Sequence, residues 1–233
     1  MRLDRLLSNL PTLSRQASRL LLIEGRVRVD DQVVRDGQHE IREFAHVTLD
    51  EQVIQVGRPA RYFMLHKPPG CVSATQDPEH PTVLDLLAAE ERVGLHLAGR
   101  LDFNTSGLLL LTDDGRWSRR LTQPQSKLPK VYWVRTEQPI GSEYAEVFAR
   151  GLYFAYENLT TLPAQLQVLD SHHARLTLYE GRYHQVKRMF GHFNNKVLSL
   201  HRESIGGLHL DPDLQPGHYR ALQTMEIERV LVD

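Results

Sequence analysis

Hydrophobic side chains at the start of the chain recur with the period of an α-helix. Leu3, Leu6, Leu7 and Leu10 lie three or four positions apart, so they would share one face of a helix. Pro11 follows them and cannot continue that helix, because it lacks a backbone N–H group. A short amphipathic helix that ends before Pro11 is therefore predicted.

The next residues predict a second helix followed by strands. Ser14 is a suitable helix N-cap, and Gly25 is typical of a helix C-terminus. Residues 26–34 alternate and contain an Asp-Asp pair at which the chain can turn, which is typical of a β-hairpin. Residues 46–56 alternate again. Residues 1–57 are therefore predicted to form a separate module of two short helices and a small sheet.

The pattern changes after residue 57. Residues 58–61 are predicted to be a linker, because glycine and proline punctuate the chain there and the apolar pattern restarts afterwards. Residues 62–233 contain many short apolar runs, few helical ones and no regular βαβ alternation, which predicts an α+β domain with a mixed, mostly antiparallel sheet flanked by helices. The predicted strands are Tyr62–His66, Leu108–Thr112, Val131–Thr136, Ala164–Leu169, Ala174–Tyr179 and Leu198–His201. The predicted helices are Thr82–Ala89, Arg116–Thr122, Ser142–Ala149 and Tyr183–His192.

The composition is that of an ordinary soluble globular protein, with 41% hydrophobic and 24% charged residues. No apolar run approaches the roughly 18–20 residues needed to cross a bilayer, and the N-terminus lacks the apolar core of a signal peptide. The single cysteine, Cys71, excludes an internal disulfide and a cysteine-based metal cluster. These features favour a cytoplasmic protein without a membrane partner.

Charge is unevenly distributed, although the formal net charge is only −1. Residues 115–135 contain six Lys or Arg side chains and no acid, and residues 181–202 contain five and again no acid. A neutral total with separate basic segments suits a protein that presents a positive face to phosphate, whereas solvated surface charge is the alternative. A nucleic-acid partner is therefore predicted.

Metal and nucleotide cofactors are not indicated by the sequence. Of twelve histidines, His172 and His173 are adjacent, but no ligand set of the usual spacing accompanies them. Residues 113–115 read as a turn before a helix N-terminus rather than as paired catalytic acids. The chain contains no Gly-x-Gly-x-x-Gly segment and no P-loop. We expect neither metal nor cofactor.

The first module resembles the S4 RNA-binding domain over about residues 1–57. The resemblance rests on Arg2-Leu3-Asp4, Ser14-Arg15 and the segment from Gly25 to Asp30. It implies that the second helix and the turn after it contact structured RNA, largely through phosphates and shape; a generic small α+β module is the alternative. The arginines for which this implies RNA binding are Arg2, Arg15, Arg19, Arg26 and Arg28.

Asp102 lies in a polar segment that precedes four consecutive leucines. The leucines, residues 108–111, predict a strand that is buried on both faces. Asp102 would then lie on a loop that feeds a core strand, where a rigid scaffold can hold a reactive group. An aspartate in a loop is more often a turn former or a helix cap. Both interpretations stay open on this segment alone.

Four segments in order resemble the motifs of the pseudouridine synthases, specifically their RsuA branch, in which an S4 domain precedes the catalytic domain. The motifs are Lys67-Pro68-Pro69-Gly70, Gly99-Arg100-Leu101-Asp102, Lys130-Val131-Tyr132 and the segment from Glu180 to Phe190. Together with the resemblance of the first module to an S4 domain, they span nearly the whole chain in the expected order. The resemblance implies isomerisation of uridine to pseudouridine in ribosomal RNA, without a cofactor.

The resemblance also implies roles for individual residues. Asp102 is the implied catalytic carboxylate, and it can act as nucleophile, proton acceptor or stabiliser of positive charge on the ribose. Lys187 is its implied counter-ion, with Arg188 as the second choice. Tyr132 is the implied stacking partner of the target uracil, with its hydroxyl as a conceivable proton carrier; a core tyrosine is the alternative.

Further basic residues are expected to contact RNA. Arg100 resembles the arginine that some relatives insert into the space left by a flipped base. Lys67 is expected to hold the loop that it opens, because Pro68, Pro69 and Gly70 fix a turn there. The remaining residues of the catalytic domain predicted to bind RNA are Lys130, Arg182 and Arg188, whereas His184 and Gln185 are assigned to phosphate contacts or to the loop.

The RNA target is predicted from two further segments. Residues 117–122 and 201–207 look closer to members of the branch that modify 16S rRNA than to those that modify 23S rRNA. The predicted partner is therefore 16S rRNA, either free or within an assembling small-subunit particle, and the enzyme is expected to be a monomer. The alternatives are the same reaction on 23S rRNA, a non-catalytic protein of ribosome assembly, and a glycosidic hydrolase with two carboxylates.

Overall fold

The chain forms two compact units that meet between Ala60 and Arg61. The computed structural model describes residues 1–231. The division between the units lies inside the predicted linker, residues 58–61. No helix in the described residues is both long and apolar enough to cross a membrane.

The first unit consists of two helices and a four-stranded antiparallel sheet with the order β2-β1-β3-β4. The Ser14 hydroxyl accepts a hydrogen bond from the Ala17 amide at 3.1 Å, so the predicted N-cap is confirmed. Asp30 and Asp31 both have positive φ, which matches a tight two-residue hairpin turn. The elements are α1 (Leu3–Ser8), α2 (Arg15–Ile23), β1 (Val27–Val29), β2 (Gln32–Val33), β3 (Val47–Leu49) and β4 (Gln52–Gln55).

The second unit is built on one mixed sheet, whose main path has the order β11-β12-β8-β13-β7-β5-β15. Only the β13–β7 pair is parallel among the described pairs, so the predicted mixed and mostly antiparallel sheet is confirmed. The strands are β5 (Tyr62–Lys67), β6 (His96–Leu97), β7 (Ser106–Thr112), β8 (Lys130–Thr136), β9 (Tyr153–Phe154), β10 (Leu159–Thr160), β11 (Gln165–Val168), β12 (His173–Leu178), β13 (Val197–Ile205), β14 (Leu208–His209) and β15 (Tyr219–Ala221). The helices are α3 (Ala89–Arg92), α4 (Gly115–Thr122), α5 (Glu143–Arg150), α6 (Gln185–Gly191) and α7 (Thr224–Arg229).

Each face of this sheet carries its own hydrophobic core. Leu109 and Leu111 of β7 pack in the core that includes residues of α5 and α6. Leu108 and Leu110 pack in the core that includes residues of α4 and lies against α7. All four leucine side chains are fully buried, which confirms the predicted two-sided burial of this strand. The segment before β7 is thereby anchored to the centre of the domain.

Two predicted elements differ from the structure. Residues 82–89 were expected to form one helix, but a single 3₁₀ turn covers Val83–Leu86 and α3 starts only at Ala89. Packing explains the interruption, because Leu87 is extended and its side chain is buried in the core. Strand β13 is longer than the predicted Leu198–His201, because it continues through polar residues that are buried.

Candidate active site

Asp102 lies on the loop that leads into β7, between that strand and β6. The loop closes on itself, since the Thr105 amide donates to the Asp102 carbonyl at 3.0 Å. Gly107 then has φ +111, and a Cβ atom there would lie 2.3 Å from the Arg202 carbonyl oxygen. Glycine is therefore required where β7 and β13 run side by side. This close approach brings Arg202 beneath the Asp102 loop.

Lys67 holds the Asp102 loop from within the domain. Its side chain is fully buried, and its ammonium group donates to the carbonyl oxygens of Pro68 at 2.9 Å, Phe103 at 3.3 Å and Thr105 at 2.8 Å. Burial lowers the pKa of Lys67, while the Cys71 thiol and the Asp102 carboxylate oppose that shift. The expected role of Lys67 in the loop matches these contacts.

Two further side chains fix the start of the same loop. The Ser73 hydroxyl accepts from the Leu101 amide at 3.0 Å and donates to the Leu101 carbonyl at 2.7 Å. The buried Arg202 guanidinium donates to the Leu108 carbonyl at 2.8 Å and to the Arg100 carbonyl at 3.4 Å. The backbone on both sides of Asp102 is therefore held in place by buried or half-buried side chains.

The Asp102 carboxylate faces two cationic or ionisable groups at longer distances. Its Oδ2 atom lies 3.5 Å from Lys187 Nζ and 3.7 Å from His184 Nε2, and its side chain is 29% exposed. Both separations exceed the roughly 2.7–2.9 Å of a charge-assisted hydrogen bond. The partly exposed carboxylate oxygens can therefore still accept a contact from a substrate.

Lys187, and not Arg188, is the cation beside Asp102. The Arg188 guanidinium forms two hydrogen bonds of 2.7 Å with Glu157 and lies over the Phe154 ring, 3.5 Å from its centroid. The Glu157 carboxylate raises the pKa of Arg188, and Arg188 in turn lowers the pKa of Glu157. The catalytic role of Lys187 stays a prediction.

Glu180 organises the turn that precedes α6. Its buried carboxylate accepts hydrogen bonds of 2.9 Å from the Leu162 amide, the Gln185 side chain and the Arg182 guanidinium. The Gln185 side-chain Oε1 atom accepts from the Arg182 backbone amide at 2.9 Å. Gln185 thus supports the loop, and Arg182 is engaged in it. This network sets the position at which α6 begins and therefore the position of Lys187.

His184 also lies beside Asp102, whereas the sequence interpretation assigned it to phosphate contacts or to the loop. It has φ +50 immediately before α6, and its ring stacks on Tyr183 with 3.9 Å between centroids. A residue at a helix start and the residue three positions later share one side of the helix. That spacing relative to Lys187 is the signal that could have placed His184 beside Asp102.

Tyr132 and Lys130 lie on β8, close to the buried Arg202. Tyr132 is opposite Arg202 in the β8–β13 register, is largely buried, and shares a core cluster with Leu101. Lys130 is half-buried and donates to the Leu128 carbonyl at 3.0 Å. Burial and the nearby positive charge of Arg202 lower the pKa of Lys130 to about 8, although the negative charge of Glu180 acts in the opposite direction. Direct contact of either residue with RNA stays a prediction.

The remaining predicted RNA-binding arginines are exposed. Arg100 is exposed beside the Asp102 loop. In the first unit, Arg2 pairs with Asp4, Arg26 pairs with Asp50 and Glu24, and Arg28 donates to the Asp31 carbonyl at 2.8 Å. Arg15 and Arg19 are exposed on α2. No group of three or more potential metal ligands exists within residues 1–231.

Comparison with known proteins places this geometry in a protein class. The profile described as RNA pseudouridylate synthase matches residues 61–192, which include the Asp102 loop and α6. A crystal structure described as that of a pseudouridylate synthase superposes with a TM-score of 0.72 at 37% identity, covering 99% of each chain.

Full-length relatives have a more specific name. The chain is 62% identical to ribosomal small subunit pseudouridine synthase A of Pseudomonas aeruginosa, over 97% of this chain and 99% of that protein. It is 45% identical to the protein of the same name from Escherichia coli, over 99% of this chain and 100% of that protein. The chain therefore belongs to the RNA pseudouridylate synthase family, as an enzyme that isomerises uridine, and the resemblance to the RsuA branch is confirmed.

Proposed function

We propose that this enzyme converts one uridine of 16S rRNA to pseudouridine, with Asp102 as the catalytic carboxylate. The observation that carries the proposal is a partly exposed carboxylate on a fixed loop, accompanied by Lys187 at 3.5 Å and His184 at 3.7 Å. The names of the relatives at 62% and 45% identity support the small subunit as the target.

The reaction breaks the bond between ribose C1′ and N1 and forms a bond between C1′ and C5 of the same base, so nothing is oxidised or reduced. Asp102 either attacks the sugar or stabilises the positive charge that develops on it. Lys187, whose ammonium group lies 3.5 Å from Asp102, is the proposed cation that accompanies the carboxylate during the reaction. Tyr132 supports the uracil ring from the core side, and its hydroxyl is the proposed proton carrier when C5 loses its proton.

The target base has to leave its stack before Asp102 can reach it, at a cost of a few kcal/mol. Arg100, exposed beside the loop, is the proposed residue that occupies the vacated space. The first unit is proposed to act as an S4-type RNA-binding domain through the exposed arginines of α2 and the following hairpin. We further propose a cytoplasmic monomer that acts on rRNA, either free or within an assembling small-subunit particle.

Deletion of the gene tests the target. Pseudouridines are mapped in 16S and 23S rRNA by chemical labelling and primer extension, before and after complementation with the wild-type chain or with Asp102→Asn. We expect one 16S site to disappear, to return with the wild-type chain and to stay absent with the variant. Loss of a 23S site instead would overturn the choice of substrate, and restoration by the variant would overturn the role of Asp102.

A further inference from the structure

An open cavity of about 610 Å³ adjoins the Asp102 site within the second unit. It is bordered by Asn104 from the Asp102 loop, by Lys187 and Gly191 of α6, and by residues 194–200. Lys187 belongs to both places, since its ammonium group also lies 3.5 Å from Asp102. Specific ligand sites commonly measure roughly 300–1,000 Å³, so this cavity has room for part of a nucleotide.

The charge of this cavity is of one sign. The charged side chains in its lining are Lys187 and Lys196, and no carboxylate belongs to the lining within the described residues. The polar groups of Asn104, Asn194 and Ser199 complete the wall. Lys196 is exposed and forms no ion pair with a carboxylate of residues 1–231, so its charge is available to an anion.

A second cavity of about 640 Å³ shows that this composition is not general to the domain. Its lining includes Arg175, Glu203 and Asp211. Glu203 pairs with Arg175 at 2.8 Å, and Asp211 pairs with Arg220 at 2.7 Å. Its charges are therefore neutralised by neighbouring protein groups, whereas Lys196 has no such partner in the described part of the chain.

The segment that carries Lys196 is fixed before any ligand binds. The buried Asn195 side chain donates to the Gln138 carbonyl at 2.9 Å and to the Tyr144 hydroxyl at 3.2 Å, and accepts from the Gln138 amide at 2.9 Å. The Lys196 carbonyl accepts from the Glu137 amide at 2.9 Å. A backbone held in this way reduces the entropy that binding would cost.

We propose that this cavity is a subsite for the phosphate of a nucleotide next to the target uridine, bound chiefly by Lys196 with hydrogen bonds from Asn104 and Ser199. The proposal rests on the function proposed above, in which Asp102 acts on the ribose of the target. Lys187 lies 3.5 Å from Asp102 and also lines the cavity, so a uridine whose C1′ lies against Asp102 would have its neighbouring phosphates close to this basic lining.

A binding measurement tests the subsite. The full chain carrying Asp102→Asn is titrated with an RNA fragment that surrounds the uridine identified by the rRNA mapping, and fluorescence anisotropy reports the affinity. Adding Lys196→Gln should weaken binding about 3- to 10-fold near 0.1 M salt and reduce the slope of log K against log salt by about one. Lys196→Arg, which keeps the charge, should restore most of the affinity.

Arg229→Gln is the control, because it removes one positive charge from an exposed position of α7, which packs against the other core. It should change the affinity by less than about twofold. An equal loss for the Lys196 and Arg229 variants would overturn the proposal, since it would show that only the overall charge matters.

Neutral methylphosphonate linkages identify the phosphate. Each linkage near the target uridine is replaced in turn, and both the Asp102→Asn chain and its Lys196→Gln derivative are measured. At one neighbouring linkage, we expect the replacement to weaken RNA binding by the Asp102→Asn chain but not to weaken binding further in the Lys196→Gln derivative. Additive losses at every linkage would overturn the subsite. Because the RNA is taken from whichever rRNA loses its modification, an error in the 16S assignment does not affect this result.

Discussion

Glu180 and Asp102, two carboxylates of the second unit, have very different surroundings. Glu180 is buried and accepts three hydrogen bonds of 2.9 Å from protein groups. Asp102 is 29% exposed, and its two nearest ionisable neighbours lie at 3.5 and 3.7 Å. A carboxylate whose acceptor sites are filled by the protein can only hold the structure, whereas one with open sites can react with a substrate.

The neighbouring cations show the same contrast. Arg188 makes a bidentate pair with Glu157 and stacks on Phe154. Lys187, the preceding residue, reaches Asp102 only at 3.5 Å. The planar guanidinium is used where fixed geometry stabilises the fold, and the compact ammonium is placed where a substrate must approach. Of these two adjacent residues, Arg188 therefore belongs to the structural scaffold and Lys187 to the candidate site.

The largest effect is expected for Asp102→Asn. The variant keeps the shape of the side chain but removes its charge, so the rate of pseudouridine formation should fall by at least about 10⁴-fold. The free energy of unfolding should change by less than about 0.5 kcal/mol, because the carboxylate makes no short hydrogen bond to a described side chain. Single-turnover assays and urea denaturation measure the two quantities, and substantial residual activity would contradict the assignment.

Glu180→Ala should give the opposite result. It leaves the Leu162 amide and the Gln185 side chain without their buried acceptor, so we expect a loss of about 2–4 kcal/mol in the free energy of unfolding. Urea denaturation checks this value against Asp102→Asn as the control. Equal stabilities of the two variants would show that the proposed division between scaffold and site is wrong.

Lys187→Gln and Arg188→Gln form a matched pair of smaller changes. Lys187→Gln should lower kcat about 10- to 100-fold with little change in melting temperature, because it removes the charge beside Asp102. Arg188→Gln should lower stability by about 1 kcal/mol and affect kcat less, because it breaks the pair with Glu157. Measurements of kcat and of the melting temperature for both variants test this prediction. A larger effect of Arg188→Gln on kcat would contradict the assignment of Lys187 as the cation that serves Asp102.

The smallest effect concerns Lys130 and depends on pH. Its pKa is about 8 in the folded chain, against an ordinary value of 10.5, so the folded state disfavours the charged form. Lys130→Met should therefore raise the free energy of unfolding by about 1 kcal/mol at pH 7. The destabilisation of the wild-type chain by charged Lys130 is complete below pH 8. It is relieved as the pH rises from 8 to 10.5, because in that range the unfolded chain binds more protons than the folded chain and the free energy of unfolding increases with pH.

Urea denaturation of the wild-type chain and of Lys130→Met between pH 7 and 10.5 checks the prediction. Lys196→Met is the control, because Lys196 is exposed. The advantage of Lys130→Met should shrink as the pH rises, while the control should show no such trend. A constant advantage up to pH 10.5 would mean that titration of Lys130 is not its cause.

Local elements of the fold were largely predictable because their signals lie close together in the sequence. Ser14 as an N-cap and the two-sided burial of residues 108–111 depend on neighbours within a few positions, and both are confirmed. Predictions failed where a distant contact overrides the local signal. The buried side chain of Leu87 interrupts the predicted helix, and the buried polar residues Arg202 and Ser204 extend β13 beyond its apolar run.

For the site, the sequence by itself determined the protein class, the Asp102 loop and the candidate cations, because ordered motifs and apolar periods are properties of short segments. Only the tertiary structure decided which groups meet: Arg188 is paired with Glu157, 31 positions away, which leaves Lys187 with His184 beside Asp102. The basic cavity around Lys196 likewise requires segments from the Asp102 loop, α6 and β13. Such pairings depend on distances between segments far apart in the chain, and periodicity along the sequence contains no information about those distances.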